Sequence, residues 1–223
     1  MAQLPIEIVI WDLDGTLVNS IPATIDAFNA GLKPFLGKEL TAEEIMAHFG
    51  PPDQEILRKL VGDKNFKESY ALMFEHLQKN INKVGFFEGV LDAIHHNHSL
   101  GIATAIFTGR GRVTTKLILD NLDAYRYFDQ VVTNDDVTNF KPHPEGLLKI
   151  LNGKNISPHK AIMIGDSSAD VKVGREAGTK TVGCTWSPYA AEFHGSKKPD
   201  FVAKHPKDFS QFLERLCGLT VKK

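Results

Sequence analysis

Two aspartates separated by a single residue, Asp12 and Asp14, close the apolar run Ile6–Trp11 and lead into Gly15-Thr16. Three more polar clusters sit in comparable places. Thr108-Gly109-Arg110 follows Ile102–Phe107, and Asp166-Ser167-Ser168-Ala169-Asp170 follows Ala161–Gly165. Lys141-Pro142-His143-Pro144 comes a loop after Gln130–Thr133. Asp12, Asp14, Asp166 and Asp170 bring four carboxylates against the one ammonium of Lys141, an excess of three negative charges. Carboxylates gathered that closely do not all stay ionised without a compensating cation. A hard divalent ion with oxygen ligands answers this, and Mg²⁺ suits a site of few carboxylates that leaves room for water and substrate phosphate oxygens. His143 is the one histidine in these motifs and no cysteine falls among them, which argues against zinc. The chemistry indicated is therefore metal-assisted work on an anionic, phosphate-bearing substrate.

The elements that position these residues are short apolar runs alternating with helical patterns. Thr181–Thr185 and Phe201–Ala203 add two more strand-like runs to the four already named. The first, second and fourth of the six are apolar almost throughout, as strands covered on both faces of a parallel sheet must be. Helical periods lie between them over Val113–Leu122, Glu145–Leu151 and Val171–Ala177. The alternation predicts an α/β fold, a Rossmann-like parallel sheet flanked by helices. In such a sheet all C-terminal strand ends share one edge, where ligands bind, so the four clusters are expected to converge. Singly, each reads as an ordinary turn or helix cap; their common position at successive strand ends carries the argument.

From Val18 to about Gly85 no strand-like run appears. Ile21, Ile25, Phe28 and Leu32 form one stripe behind Ser20, a plausible N-cap, and Thr41-x-x-Glu44 is a capping-box pattern. Pro51-Pro52-Asp53 opens a further helix, and Phe66, Tyr70, Met73, Phe74, Leu77 and Ile81 make another apolar stripe. These Phe and Met residues are expected to be bundle core. The predicted organisation is an α/β core of residues 1–17 and 86–223 with an inserted all-helical cap of residues 18–85.

The 223 residues carry 26 Lys+Arg against 27 Asp+Glu, and the 42% hydrophobic content suffices for a core. Near-zero net charge gives no case for nucleic-acid or anionic-membrane partners. The two cysteines, Cys184 and Cys217, form no disulfide scaffold, and no basic leader or membrane-length apolar run is present. A soluble, cytoplasmic protein, monomeric or a small homo-oligomer, is expected. His95, His96 and His98 read as a solvated helix end; Arg110 and Arg112 read equally as an exposed helix start or as contacts to a substrate anion. Lys197-Lys198 and Lys222-Lys223 are too short for a nucleic-acid patch.

Together these motifs resemble those of the haloacid-dehalogenase-like superfamily in its phosphatase branch. Asp12-x-Asp14-Gly15-Thr16 resembles its first motif, Thr108 its second, Lys141 its third and Gly165-Asp166-x-x-x-Asp170 its fourth. The insert, with Phe49-Gly50-Pro51-Pro52 as a substrate-facing loop, is similar to the cap of the phosphoglycolate-phosphatase-like subfamily. The resemblance implies a Mg²⁺-dependent phosphatase of a small phosphorylated metabolite. Asp12 would be the nucleophile and form an aspartyl-phosphate, Asp14 the general acid–base, and Lys141 the charge-neutralising catalytic cation. Mg²⁺ would be held by Asp12, the Asp14 carbonyl and Asp166, with Asp170 just behind. Thr108 and the Gly109 N–H would bind phosphate oxygens. A phosphomutase, a pyrophosphatase or a nucleotidase of the same fold are the alternatives. A dehalogenase is disfavoured by Asp14, and a non-catalytic binding protein by the complete set.

Overall fold

The computed structural model describes residues 6–195 and 198–218. Six strands make one parallel sheet: β1 (Ile8–Trp11), β2 (Ala103–Phe107), β3 (Gln130–Val132), β4 (Ala161–Gly165), β5 (Lys180–Cys184) and β6 (Phe201–Ala203). Their spatial order is β3-β2-β1-β4-β5-β6. β1 lies at the centre, paired with β2 on one side (Ile10↔Ala105) and β4 on the other (Ile10↔Met163). The order reverses at β1, so the crevice beyond its C-terminal end is the switch point of the sheet.

Alternation along the central strands divides their side chains between two apolar layers. Ile8 and Ile10 point to one face and join Phe107, Met163, Leu147 and Ile150. Val9 and Trp11 point to the other and join Ile106, Ile164, Ile94, Ile118 and Phe209. Helices α6 (Glu145–Gly153) and α7 (Ser168–Ala177) cover the first face; α4 (Val90–Ser99), α5 (Arg112–Asn121) and α8 (Pro206–Leu216) supply the second. Trp11 meets Phe209 edge-on at 5.2 Å between ring centroids, a favoured aromatic geometry. Among the described residues no helix is long and apolar enough to cross a membrane.

The segment after β1 is helical: α1 (Ile21–Leu36), α2 (Ala42–Met46) and α3 (Asp53–Lys79), the last broken at Gly62, where φ is 76°. The helix opened by Pro51-Pro52-Asp53 and the stripe from Phe66 to Leu77 thus belong to two stretches of one broken helix, while Ile81 falls in a short 3-10 turn beyond it. Gly31 lets α1 and α3 cross closely, since a Cβ there would lie 2.6 Å from the Ser69 carbonyl oxygen. Ser69 Oγ donates to the Gly31 carbonyl at 2.9 Å across the same crossing. The Thr41 capping box forms as its sequence suggests. Ser20 does not cap α1 with its side chain; its hydroxyl is turned to Asp14 instead. The chain leaves and re-enters the sheet domain along two adjacent segments, with Asn19 N–H donating to Gly85 O at 2.9 Å and Phe87 N–H to Leu17 O at 3.1 Å.

Candidate active site

The loop after β1 turns back immediately, because Gly15 takes φ +79°. A Cβ at Gly15 would fall 2.1 Å from Asp166 Oδ2, so only glycine lets the β4 loop lie against the β1 loop. Gly165 does the same for Asp170, whose Cγ lies 2.2 Å from where a Cβ would be. Gly15 thus lets the loop carrying Asp12 and Asp14 lie against Asp166, and Gly165 makes room for Asp170 beside it. Gly15→Ala is therefore expected to destabilise the fold by about 1–2 kcal/mol from the left-handed backbone alone, with a further loss from displacing Asp166. Chemical denaturation would measure it, and wild-type stability would show that the loops are not in contact.

Asp12, Asp166 and Asp170 are all buried, and one carboxylate oxygen from each lies within 4.8 Å of the others. Lys141 stands among them: its Nζ donates to Asp12 Oδ1 at 2.7 Å and to Asp170 Oδ1 at 2.6 Å. It also lies 4.8 Å from the centre of the Phe107 ring. Asp170 Oδ2 accepts from the Ser167 hydroxyl at 2.6 Å and its N–H at 3.1 Å. Asp170 thereby completes the capping box of Ser167, the N-cap of α7, and holds Lys141 beside Asp12 in one arrangement.

Burial pushes Asp12 up to about 7, against the pull of Lys141 and with help from Asp170 and Asp14. Asp166 is raised well above the carboxylate range, by burial first and then by repulsion from Asp12, Asp170 and Asp14. Burial works to depress the Lys141 ammonium, but Asp12 and Asp170 together outweigh it and hold it above an ordinary lysine. A single lysine therefore leaves this cluster short of positive charge. The donors are all oxygens, so a hard divalent cation fits the deficit and the donor chemistry.

Asp14 points away from that cluster. Its carboxylate accepts from Arg110 Nε at 3.0 and 3.1 Å and from Nη2 at 2.8 Å, and the Ser20 hydroxyl donates to it as well. Arg110 is itself buried, with Nη2 also donating to Thr24 Oγ1 at 2.5 Å. Arg110 is buried rather than an exposed helix start, and its guanidinium clamps Asp14. Arg112 is exposed and pairs with Asp136 at 2.7 Å.

Thr108 is buried at the end of β2, and its Oγ1 accepts from Arg110 N–H at 3.1 Å. Gly109 follows it, its carbonyl oxygen bound by Asn134 Nδ2. That amide also donates to Gly50 O at 2.7 Å, joining the cap loop to the loop after β2. Asp53, at the start of α3, accepts from Thr114 Oγ1 at 2.5 Å across the same gap. Burial raises its pKa, opposed by Arg110 and Thr114. Thr24 and Asn134 carried no sequence signal, and Ser20 and Asp53 were marked only as helix starts, because the site contacts of Thr24, Asp53 and Asn134 come from partners far along the chain.

Asp12, Asp14, Thr108, Gly109, Lys141, Asp166 and Asp170 all line one cavity of about 480 Å³. The cap contributes Ile21, Thr24, Met46, Phe49, Gly50, Pro51, Asp53 and Ile56 to its wall. Of the Phe49-Gly50-Pro51-Pro52 loop, the first three residues line it and Pro52 does not. The histidines before β2 diverge: His96 pairs with Glu214 at 3.1 Å, and His98 meets Thr104 Oγ1 at 2.8 Å. Lys197, Lys222 and Lys223 lie outside the described residues.

A family model described as haloacid dehalogenase-like hydrolase matches residues 9–184. The chain is 33% identical over 211 residues to pyrophosphatase PpaX of Bacillus pumilus, covering 93% of this chain and 96% of that protein. It is 30% identical over 210 residues to pyrophosphatase PpaX of Anoxybacillus flavithermus, with 93% and 97% covered. Among solved structures, a Haemophilus somnus protein named as a predicted phosphoglycolate phosphatase superposes with a TM-score of 0.82 at 21% identity, over 95% of this chain and 99% of that one. A Thermotoga maritima protein named for β-phosphoglucomutase gives a TM-score of 0.73 at 25% identity, over 94% and 99%.

Proposed function

The chain belongs to the haloacid dehalogenase-like hydrolases, and from that membership we propose that it is a Mg²⁺-dependent phosphatase of small phosphomonoesters working through an aspartyl-phosphate. The observation that carries this reading is Lys141 held between Asp12 and Asp170 at 2.7 and 2.6 Å, inside a cavity that the cap roofs.

Asp12 attacks phosphorus in line, forming an Asp12 O–P bond as the bond to the leaving oxygen breaks. Lys141, already on Asp12, neutralises charge on the nucleophile and the transferring phosphoryl group. Thr108 Oγ1 and the Gly109 N–H bind phosphate oxygens. Asp14 gives a proton to the leaving oxygen, then takes one from the water that attacks the aspartyl-phosphate, releasing phosphate and restoring Asp12. In the conformation described, Asp14 is an acceptor for Arg110 and Ser20. Arg110 Nη2 and Ser20 both bind Oδ1, so Oδ2, held by Nε at 3.0 Å, is the oxygen that carries the proton, and Arg110 stays paired with Asp14 through Oδ1. Asp12, Asp166 and the Asp14 carbonyl would hold Mg²⁺, with Asp170 behind, and the ion would supply charge screening between nucleophile and phosphate.

A phosphate-release panel of small metabolites, run with Mg²⁺ and with EDTA, tests the proposal. Release that needs Mg²⁺ is expected; full turnover in metal-free buffer overturns it. The relatives named pyrophosphatase favour a second reading, so pyrophosphate belongs in the panel.

The carboxylate cluster gives the metal a signature separate from turnover. Asp12 titrates near 7 in the folded chain against 3.8 in an unfolded one. A group raised on folding contributes stability that is complete below its unfolded pKa and lost as pH rises through its folded pKa. Metal-free protein should therefore lose stability between about pH 4 and pH 7, and the Mg²⁺-induced rise in Tm should be larger at the alkaline end. Asp166→Ala should raise the metal-free Tm by relieving repulsion and abolish the Mg²⁺ shift. An undiminished shift in that variant would remove Asp166 from the metal site.

A further inference from the structure

The cavity has two sides with different chemistry. The sheet edge gives Asp12, Thr108, Lys141 and Asp166; the cap gives Ile21, Met46, Phe49, Pro51 and Ile56, apolar side chains, together with Asp53. Cations among the described residues lining the cavity are Lys141 and Arg110. Lys141 is bound to Asp12 and Asp170, on the phosphoryl side. Arg110 is bound to Asp14 and Thr24, and the charge of Asp53 acts on it next after that of Asp14. A group entering the cap side therefore meets apolar walls, one hydroxyl and a carboxylate, and no cation that is not already paired.

We infer that this site selects phosphomonoesters with an uncharged, partly apolar leaving group, and that Asp53 is the specificity residue that disfavours a leaving group bearing a second anion. The inference rests on the phosphatase reading above and narrows its substrate class. A carboxylate or second phosphate placed against the cap would lose its water without gaining a counter-charge, a costly transfer. It would also stand near Asp53, which is fixed by the 2.5 Å hydrogen bond from Thr114 and cannot swing aside without breaking it. Substrates such as pyrophosphate and phosphoglycolate, whose names attach to relatives of this chain, carry that second anion.

The test uses a matched pair, phosphoglycolate and 2-hydroxyethyl phosphate, with pyrophosphate as a third substrate, on the full chain with Mg²⁺. The pair differs in a carboxylate against a hydroxymethyl group, so the leaving oxygens are similar. The wild-type kcat/KM should favour 2-hydroxyethyl phosphate by about tenfold or more, the scale of one unfavourable charge contact. Asp53→Asn keeps an acceptor for Thr114 while removing the charge, and should move the ratio toward phosphoglycolate by a similar factor. Met46→Lys, which adds a cation to the cap wall, should move it the same way and serves if Asp53→Asn does not fold. Phosphoglycolate or pyrophosphate as the better wild-type substrate overturns the inference and leaves the phosphatase reading standing. A ratio unmoved by the substitutions removes Asp53 from the specificity role. Absence of phosphate release from every ester overturns the phosphatase reading, and the inference with it.

Discussion

Asp12→Asn is expected to lower phosphate release by at least about 10⁴-fold, the scale on which single members of a catalytic set act. The amide is almost the same size as the carboxylate but offers no anion to phosphorus, so the first bond cannot form. Stability should not fall with activity. Asp12 is buried with Asp166 and Asp170 beside it and is itself pushed up to about 7, so neutralising it relieves repulsion and leaves Lys141 its bond to Asp170 at 2.6 Å. The metal-free variant should melt at or above the wild-type temperature. Acid-quenched mass spectrometry during turnover should show a phosphoryl adduct on the wild type and none on the variant. Near-wild-type release with an adduct elsewhere would move the nucleophile to another residue.

What could be read from residue order was whatever depends on neighbours in sequence. β1 and β4 are apolar at every position because both faces are covered, and that pattern needs no partner to be recognised. Polar residues at the ends of such strands are brought together by parallel topology alone, which is why Asp12, Thr108 and Asp166 could be assigned to one edge. Asp14 illustrates the limit. Its position two residues from Asp12 was plain, but its direction is set by Arg110, 96 residues away, and by Ser20, whose local pattern suggested a helix cap. Asn134 and Asp53 are bound across separations of 84 and 61 residues; the immediate sequence marks Asp53 only as a helix start and Asn134 not at all. Local periodicity encodes the sheet; the cap–core contacts arise only when distant surfaces meet.

Lys141→Met should be the most damaging single change to stability and activity together. Methionine fills the volume of the lysine stem against Phe107, so packing is largely kept and the loss is of charge. The lysine side chain is 6% exposed and its ammonium serves two buried carboxylates, Asp12 and Asp170. Removing one member of a buried ionic cluster costs about 3–5 kcal/mol, because the remaining charges stay desolvated and unpaired. For a chain of this size that is a fall in Tm of the order of 10 °C. Turnover should drop by at least about 10²-fold, the effect of losing one fixed electrostatic contact to the transition state. The stability loss should depend on pH in a definite direction. Without the ammonium, Asp12 loses the main influence that lowers its pKa. It therefore titrates higher in the folded chain, and its contribution is retained at low pH and lost as pH rises. The gap in Tm between wild type and Lys141→Met should be small near pH 5 and widest near pH 8. Adding Asp12→Asn to Lys141→Met should recover part of the loss, since one of the two stranded charges is then gone. Melting curves of the four proteins in the double-mutant cycle, at both pH values in metal-free buffer, would decide it. Strict additivity with no pH dependence would mean that Lys141 supports the fold through packing alone.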